Sequence, residues 1–405
     1  MEVILMQTTY LNEKKHEIYH CTGFGVCRGG YLDKVSPCPV HTSSAGFEAE
    51  TPKGIMTLGR DLLEKRINYS RPLADVIYRC TMCGNCRLLC GATNFETMAP
   101  LFDPAEINLA MRTDLVDLGV VPSPVRDYLE SMQKRGNPFK KAQKYRGQWA
   151  ETADVDIYDN HEYLFYIGCV GSFDERGNAI AEATAKLLQR AGVSFGILGS
   201  EEGCDGNEVK KLGEQWLFEE MAQKNIETFK QKGIQKIITL SPHSYNAFKN
   251  DYPSLGGTFD VQPVSRILKE LLDANRLETE KSFNARVAFH DPCLLGRQNG
   301  EYDSPRQVLN AVPGLKLVEM PRNRENALCC GGGGGNFFTD MIGSGQNSPA
   351  RQRVREAIDT GVEILAVSCP TCANMLQDAV KAEWIEDKLK IMDISEILMS
   401  VLASA

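Results

Sequence analysis

The chain has 405 residues, enough for two or three domains with buried cores. Hydrophobic residues make up 42% and charged residues 24%, which is typical of a globular protein and excludes extended disorder. The formal net charge of −8 argues against nucleic acid as a partner, and no stretch reaches the ~18 apolar residues that a membrane span needs.

The amino-terminal segment MEVILMQTTYLNEKKHE does not resemble a secretory signal, because its apolar run is short and charged residues follow it. We therefore expect a cytoplasmic protein that would associate with a membrane only through partner subunits. The chain has 14 cysteines. In a reducing compartment they are more consistent with metal ligands or redox groups than with structural disulfides.

The most specific motif is RCTMCGNCRLLCGA at residues 79–92. It places Cys80, Cys83, Cys86 and Cys90 in a CxxCxxCxxxC spacing. In bacterial-type iron–sulfur proteins the first three such cysteines bind one cubane and the fourth serves a second cluster. A zinc knuckle is the alternative, but it usually needs two separated cysteine pairs. Apolar residues recur at helical spacing around the motif, so we expect a helical iron–sulfur domain over residues 1–114.

A second cysteine run, CTGFGVCRGGYLDKVSPCPV, begins at residue 21. The expected ligand sets are Cys38, Cys80, Cys83 and Cys86 for a [4Fe-4S] cubane, and Cys21, Cys27 and Cys90 for a second cluster. Phe24 stands where the second set would have its missing cysteine. The second cluster is then a [3Fe-4S] cluster, or a [4Fe-4S] cluster whose fourth ligand is His20, His41 or water. The alternative is that this site has been lost and its cysteines are core residues.

The remainder of the chain has an α/β pattern. Residues 115–158 are polar and predict a connecting arm, most simply a solvated linker. Beyond them, short β-branched runs such as EYLFYIGC and VEILAVSCPTC alternate with helical patterns. This alternation predicts parallel sheets of Rossmann-like type, in which ligands gather at the carboxyl ends of the strands.

An internal repeat divides this α/β region into two halves, over residues 159–278 and 279–405. The second half contains Cys293, then Cys329-Cys330-Gly331, then Cys369-Pro370-Thr371-Cys372. The first half has Cys169, Cys204-Asp205-Gly206 and Ser241-Pro242-His243-Ser244 at matching intervals. We expect an α+β multidomain protein, in which a helical ferredoxin-like domain precedes two α/β halves related by a pseudo-twofold axis. The second is intact and the first degenerate, with two of the five cysteines.

The intact cysteine pattern resembles the CCG domain of heterodisulfide reductases and of the iron–sulfur subunits of glycolate, lactate and anaerobic glycerol-3-phosphate dehydrogenases. With a helical iron–sulfur domain ahead of two CCG halves, the chain resembles a D-type heterodisulfide reductase subunit. The resemblance implies a noncubane [4Fe-4S] centre at Cys293, Cys329, Cys330, Cys369 and Cys372, where disulfide chemistry occurs. It also implies partner subunits in an anaerobic electron transport complex, such as a flavoprotein, a hydrogenase or a membrane quinone or cytochrome subunit. The substrate would be a small thiol or disulfide, or a protein disulfide.

The degenerate half departs from this family pattern, because Asp205, Ser241 and Ser244 replace three ligands. We expect no cluster there. The remaining Cys169 and Cys204 either face the intact centre or are buried core residues. His243 lies where a ligand pair would sit, and it either faces the substrate or only fills space.

The segment LCCGGGGGN, at residues 328–336, fits a cluster that five thiolates surround. Five thiolates exceed the four corners of a cubane, and neighbouring cysteines can serve separate irons. Glycines such as Gly331 and Gly332 permit positive φ angles and leave room for the inorganic core. A phosphate-binding loop is the alternative, but the following Lys-Ser or Lys-Thr is missing. His290 either donates a proton to a leaving thiolate or is a hydrogen-bonded supporting residue.

The sequence thus predicts an oxidoreductase that acts on sulfur groups. Electrons would pass through the ferredoxin-type clusters to the five-cysteine centre. One alternative is a non-catalytic relay subunit of a flavin dehydrogenase or quinone-linked complex, and another is a metal-binding scaffold. Hydrolysis has no support, because the sequence contains no Ser-His-Asp or HExxH arrangement.

Overall fold

A computed structural model describes residues 9–29, 38–44, 46–97 and 99–402. These residues form two compact units, each discontinuous along the chain. The first unit draws on residues 1–130, 208–216 and 325–349, and the second on residues 131–207, 217–324 and 350–405. The division of the chain into four consecutive segments stays a prediction.

The amino-terminal part of the first unit is helical. In chain order its helices are α1 Thr9–Glu13, α2 Lys15–His20, α3 Val26–Gly29, α4 Pro39–Ser43, α5 Pro52–Leu63, α6 Arg71–Ile77, α7 Asn85–Leu89 and α8 Pro104–Asp117, and α9 Ser123–Arg135 follows. Helix α5 packs against α8, and the start of α1 is tied to α8 through Asp114. The Asp114 carboxylate accepts hydrogen bonds from the backbone N–H groups of Thr9 at 3.0 Å and Tyr10 at 2.8 Å.

Local sequence explains where the helices of this unit begin. Helix α5 starts at Thr51-Pro52, and the Thr51 hydroxyl accepts a hydrogen bond from the Gly54 N–H at 3.1 Å. Helix α8 starts at Asp103-Pro104, and the Asp103 carboxylate accepts one from the Ala105 N–H at 2.8 Å. A capping side chain followed by proline at the first helical position is a strong start signal, because proline has no N–H to leave unsatisfied.

The second unit contains two parallel sheets of four strands each. Its strands are β1 Tyr163–Tyr166, β2 Phe195–Gly196, β3 Lys236–Thr239, β4 Asp260–Pro263, β5 Arg286–Phe289, β6 Lys316–Leu317, β7 Ile364–Val367 and β8 Lys390–Asp393. The strand orders are β2-β1-β3-β4 and β6-β5-β7-β8, so the two sheets have the same topology. This confirms the two predicted α/β halves, whereas the ferredoxin-like character of the amino-terminal domain stays a prediction.

Helices flank these strands. The remaining helices of the chain are α10 Gln148–Ala153, α11 Gly168–Phe173, α12 Glu175–Arg190, α13 Asn207–Lys211, α14 Gln215–Gln231, α15 Pro242–Asn246, α16 Val264–Asp273, α17 Asp303–Asn310, α18 Asn336–Thr339, α19 Pro349–Asp359, α20 Pro370–Ala382 and α21 Ile394–Val401. Within the second unit, α12 of the first half packs against α20 and α21 of the second. The Arg176 guanidinium on α12 forms an ion pair with Glu396 on α21. The two halves therefore share a packed interface.

Candidate metal centres

The first set of predicted ligands comes together in the first unit. Cys80 and Cys83 precede α7, Cys86 lies within it, and Cys38 lies at the start of α4. Burial raises the pKa of Cys38, and the nearby thiols of Cys83 and Cys80 raise it further. Burial likewise raises the pKa of Cys86, followed by the effects of Asp103 and the other three thiols of the set. The four thiols thus lie close enough to affect one another's pKa, with Cys83 buried and the other three residues partly buried.

The loop before α7, residues 78–84, brings these cysteines together through its backbone conformation. We call it the Cys80 loop. Met82 has a φ of 55° and Gly84 a φ of 74°, so the chain reverses direction between the cysteines. The Met82 N–H donates a hydrogen bond to the Cys80 sulfur at 3.4 Å. The Met82 side chain packs on Ala105 and Leu109 of α8, which holds the loop in place. A wrapped loop of this kind can present successive thiolates to one cluster.

The second set of predicted ligands lines a cavity of about 450 Å³ in the first unit. The lining residues include Cys21, Cys27 and Cys90 together with Phe24. Burial and then the thiols of Cys90 and Cys21 raise the pKa of Cys27 to about 12. The cavity is large enough for a small inorganic cluster, and three thiols face it together.

Phe24 and two histidines bear on the fourth ligand of this second site. The Phe24 side chain lines the cavity, but the residue is 78% exposed, so the ring lies mostly at the surface. Among the described residues that line the cavity there is no histidine, and neither His20 nor His41 is one of them. This arrangement favours a three-thiolate site over one completed by a histidine.

In the second unit, the intact half places three of its five cysteines after two neighbouring strands. Cys293 follows β5, and Cys369 and Cys372 follow β7. Strands β5 and β7 pair in parallel, so their carboxyl ends lie at the same edge of the sheet. Burial raises the pKa of Cys369, but hydrogen bonds from Cys372 and His243 outweigh this effect and lower the pKa to about 5. This environment stabilises a thiolate.

His290 lies at the same edge of the sheet. The histidine is buried, and one of its ring nitrogens lies within 4.8 Å of the Cys372 sulfur. Its Nδ1 accepts a hydrogen bond from the Nε of Arg353 at 3.2 Å, so Nε2 carries the proton of the neutral ring. Nε2 has no hydrogen-bond partner among the described residues. An N–H group is thus available for a sulfur atom or a substrate.

The other two cysteines of the motif, Cys329 and Cys330, are buried and belong to the first unit. The Gly331 N–H donates a hydrogen bond to the Cys329 sulfur at 3.3 Å, and Gly331 has a φ of 91°. A Cβ on Gly334 would lie 2.7 Å from the carbonyl oxygen of Cys80. We define this segment, residues 329–336, as the glycine loop. A Cβ on Gly333 would likewise lie 2.7 Å from the carbonyl oxygen of Thr81, so these two glycines leave room for the backbone of the Cys80 loop.

The degenerate half has polar side chains at the positions that match three cysteines of the intact half, namely Asp205, Ser241 and Ser244. The Ser244 hydroxyl donates a hydrogen bond to the Asp205 carboxylate at 2.7 Å. The Ser241 hydroxyl accepts one from the His243 N–H at 3.2 Å and caps α15. These groups are hydrogen-bonded to protein partners, and the absence of a cluster from this half stays a prediction.

The two cysteines of the degenerate half form a buried pair with an arginine. Nη2 of Arg146 donates a hydrogen bond to the Cys169 sulfur at 3.0 Å, and Nη1 donates to Glu202 at 2.7 Å. A hydrogen bond from Cys204 lowers the pKa of Cys169, burial opposes it, and Arg146 lowers the pKa further. The hydrogen bond with Cys169 and burial raise the pKa of Cys204 well above its usual range. The pair therefore favours one thiolate and one thiol.

Sequence reasoning missed Arg146 and Glu202. Arg146 lies in the predicted arm, within the RGQW segment, and its side chain is fully buried. Glu202 accepts hydrogen bonds from the backbone N–H groups of Ile167 and Gly168, both at 2.9 Å, which fixes the start of α11. An arginine in a polar segment carries no sign of burial in the sequence, so no signal distinguished it from a solvated charge.

Comparison with known proteins gives the family. The model of the cysteine-rich domain family, CCG, matches residues 163–249 and 287–377, one match in each half. The chain is 31% identical to the D-type subunit of the dihydromethanophenazine:CoB–CoM heterodisulfide reductase of Methanosarcina mazei, over 96% of this chain and 94% of that protein. The chain belongs to the family of D-type heterodisulfide reductase subunits. This family of iron–sulfur oxidoreductases is the one that its cysteine pattern predicted.

Two other relatives are similar to this chain over only part of their own length. It is 36% identical to the probable iron-sulfur-binding oxidoreductase FadF of Bacillus subtilis, covering 82% of this chain and 47% of that protein. It is 31% identical to the EtfAB:quinone oxidoreductase of Syntrophomonas wolfei, covering 92% of this chain and 53% of that protein. The chain thus spans about half the length of these two relatives. Within the part of the chain that the structure describes, no helix is long and apolar enough to cross a membrane.

Proposed function

We propose that the chain is an electron-transfer subunit that reduces or oxidises a disulfide or dithiol substrate. Its ferredoxin-type clusters would be a [4Fe-4S] cubane held by Cys38, Cys80, Cys83 and Cys86, and a [3Fe-4S] cluster held by Cys21, Cys27 and Cys90. Its catalytic centre would be a noncubane [4Fe-4S] cluster held by Cys293, Cys329, Cys330, Cys369 and Cys372. Bound iron–sulfur clusters supply the ability to gain and lose electrons one at a time.

The observation that carries this proposal is the packing of the glycine loop on the Cys80 loop within the first unit. A Cβ at Gly333 would lie 2.7 Å from the Thr81 carbonyl oxygen, and one at Gly334 would lie 2.7 Å from that of Cys80. Loops that carry ligands of two proposed centres are therefore in backbone contact. Such contact favours electron transfer between the centres, which both reduction and oxidation of a substrate need.

The overall reaction would be RSSR + 2e⁻ + 2H⁺ ⇌ 2RSH, with a reduced flavin or quinol of a partner protein as the source of electrons in the reducing direction. His290 is placed to donate a hydrogen bond or a proton to a departing thiolate, because its Nε2–H has no partner among the described residues. Arg353 positions the ring by donating to its Nδ1 at 3.2 Å. Deprotonated sulfur at Cys369 is favoured by the hydrogen bonds from Cys372 and His243.

A non-catalytic relay is the second candidate. It is favoured by the similarity to FadF and to the EtfAB:quinone oxidoreductase, whose names describe an oxidoreductase and a quinone-linked enzyme rather than a disulfide reductase. In this case the same clusters would pass electrons from a flavoprotein toward quinone, and no thiol would react at the five-cysteine centre.

The test begins with anaerobically purified protein and the determination of iron and acid-labile sulfide. We expect about 11 irons per chain, from four, three and four in the three clusters. Dithiols are then added to oxidised protein, and the paramagnetic signals are recorded. A thiol-dependent signal that Cys372→Ser abolishes and Cys83→Ser preserves supports the disulfide reaction. Clusters that a reduced flavoprotein reduces, but that no dithiol perturbs, favour the relay. Zinc without acid-labile sulfide overturns both.

A further inference from the structure

Arg112 lies on α8 in the first unit and is fully buried. Its guanidinium donates hydrogen bonds only to backbone carbonyl groups of the described residues. The acceptors are Ile77 at 3.2 Å, Tyr78 at 3.1 Å, Cys80 at 2.6 Å, Lys211 at 2.8 Å and Gly334 at 3.1 Å. The guanidinium also lies over the Tyr78 ring, 4.8 Å from its centre. Five carbonyl groups from three separate segments therefore converge on one side chain.

The guanidinium of Arg112 is a buried cation without a matching carboxylate. Among the described residues, none places a carboxylate oxygen within ion-pair distance of Arg112, and Glu208 contributes only a weaker attraction. The shortest of its hydrogen bonds, at 2.6 Å, goes to the carbonyl of Cys80, a proposed cluster ligand. The five carbonyl dipoles and the Tyr78 ring stabilise this buried cation without supplying a full negative charge, so a nearby anion would stabilise it further. A thiolate-ligated cluster at Cys80 has a net negative charge and would be such an anion.

Arg112 also donates hydrogen bonds to both the Cys80 loop and the glycine loop. Nη2 bonds the carbonyl of Cys80, and Nη1 bonds the carbonyl of Gly334 in the glycine loop. The glycine loop has a further anchor in the first unit, since the Gly335 N–H donates a hydrogen bond to the Glu208 carboxylate. The planar fork of arginine reaches both loops at once, whereas a lysine amine would act as a single point charge.

We propose that Arg112 is a positioning residue for electron transfer. It is the counter-ion of the cubane at Cys38, Cys80, Cys83 and Cys86, and it holds the Cys80 loop against the glycine loop. This inference rests on the proposed iron–sulfur function. The two roles make different demands on the side chain. The counter-ion role needs its positive charge, and the positioning role needs its planar shape.

The test compares Arg112→Met with Arg112→Lys in protein with its full iron content. Arg112→Met should make reduction of the cubane about tenfold less favourable, a fall in midpoint potential of about 59 mV for one electron. Arg112→Lys should keep the potential near that of the wild type. It should slow electron transfer from the cubane to the five-cysteine centre about tenfold or more, because the two loops lose their shared donor. Potentials are read by redox titration with paramagnetic resonance, and rates by rapid freezing.

The matched control is Arg87→Met. Arg87 follows the ligand Cys86 directly, but its side chain is 50% exposed, so solvent screens its charge. Its removal should leave the cubane potential and the transfer rate nearly unchanged. Equal shifts for Arg87→Met and Arg112→Met, or an unchanged potential in Arg112→Met, would overturn the counter-ion role. A wild-type transfer rate in Arg112→Lys would overturn the positioning role. Protein that contains no iron would instead refute the proposed function itself.

Discussion

The His243 side chain of the degenerate half lies close enough to Cys369 of the intact half to lower the pKa of the Cys369 thiol. The Asn207 side-chain amide lies 3.4 Å from His243 Nδ1, and an N–H donated there places the ring proton on Nε2, the other nitrogen. The half that has lost three cysteines therefore contributes a donor to the half that kept them. Of the two interpretations that the sequence left open for His243, the geometry favours a place beside the intact site over simple space filling.

Replacing His243 tests this contribution. His243→Leu removes the N–H donor, so the negative charge on Cys369 and any bound cluster is less stabilised. Reduction of the five-cysteine centre should become about fivefold to tenfold less favourable, with the iron content unchanged. His243→Gln retains a donor and should give an intermediate potential. A redox titration that gives the same potential for all three proteins would show that the hydrogen bond has no role at the centre.

The contact between the glycine loop and the Cys80 loop predicts a large effect of Gly334→Ala. Gly334 has a φ of 62°, and its Cβ would lie 2.7 Å from the Cys80 carbonyl oxygen and 3.0 Å from the Thr81 carbonyl carbon. The left-handed backbone alone costs about 1 kcal/mol, and the steric overlap adds about 1–3 kcal/mol. We expect a total loss of about 2–4 kcal/mol in the free energy of unfolding, together with loss of iron.

Gly119→Ala is the control for the backbone cost. Gly119 has a φ of 67°, close to that of Gly334, but no atom lies within 4 Å of its Cβ position. It should lose about 1 kcal/mol and no iron. Denaturant unfolding and iron determination separate the two effects. If the two variants were equally destabilised, the close approach of the loops would not contribute to stability.

The sequence predicted the fold best where the pattern was strongest. The central strands β1, β3, β5 and β7 are largely buried apolar runs, which is why their segments could be recognised. The edge strands β4 and β8 were not predicted. Their sequences, DVQP and KIMD, have four residues each, begin with a charged residue and lack a run of β-branched residues, so they have no clear strand signal. They form because a neighbouring strand offers free hydrogen-bonding groups.

The candidate sites also contain some features that the sequence can predict and others that it cannot. The thiol groupings stay predictions, and they could be made from the sequence because cysteine spacing limits which residues can share a cluster. The buried cations Arg112 and Arg146 were not predictable, because their partners are distant in sequence. Arg112 bonds the carbonyl of Gly334, 222 residues away, and Arg146 bonds Glu202, 56 residues away. Only the folded backbone brings such partners together.

Phe24→Cys tests how many irons the proposed cluster at Cys21, Cys27 and Cys90 contains. The native site offers three thiols in its cavity, and a cysteine at position 24 would add a fourth at the position that the motif reserves for it. The variant should gain about one iron per chain, and the oxidised [3Fe-4S] signal should be replaced by a signal from a reduced [4Fe-4S] cluster.

The control for this substitution is Phe47→Cys. Phe47 is 68% exposed and does not line the cavity, so its replacement adds a thiol without adding a ligand. It should leave the iron content and the spectra unchanged. Native protein that already contains eight cubane irons and lacks an oxidised [3Fe-4S] signal would contradict the three-thiolate site.

Asp393 caps the start of α21 and is not a proposed cluster ligand. Its carboxylate accepts hydrogen bonds from the Ser395 N–H at 3.0 Å and the Ser395 hydroxyl at 2.8 Å, while its own N–H donates to Glu396 at 2.7 Å. Burial is the main cause that raises the pKa of Asp393 from 3.8 to about 7. The hydrogen bonds from Ser395 oppose this rise, but they do not cancel it.

The folded protein therefore holds a proton between about pH 4 and pH 7 that the unfolded chain releases. Since the unfolded state binds fewer protons in this window, the free energy of unfolding should fall as the pH rises through it, and level off above pH 7. The full change is on the order of 4 kcal/mol. Asp393→Asn keeps an acceptor for the cap but cannot ionise, so its stability should vary less between about pH 5 and pH 8. Asp75 is exposed, so Asp75→Asn is the control and should retain the wild-type dependence of stability on pH. Denaturant unfolding at each pH measures the difference, and equal slopes for Asp393→Asn and wild type would show that Asp393 ionises in the folded protein as readily as in the unfolded chain.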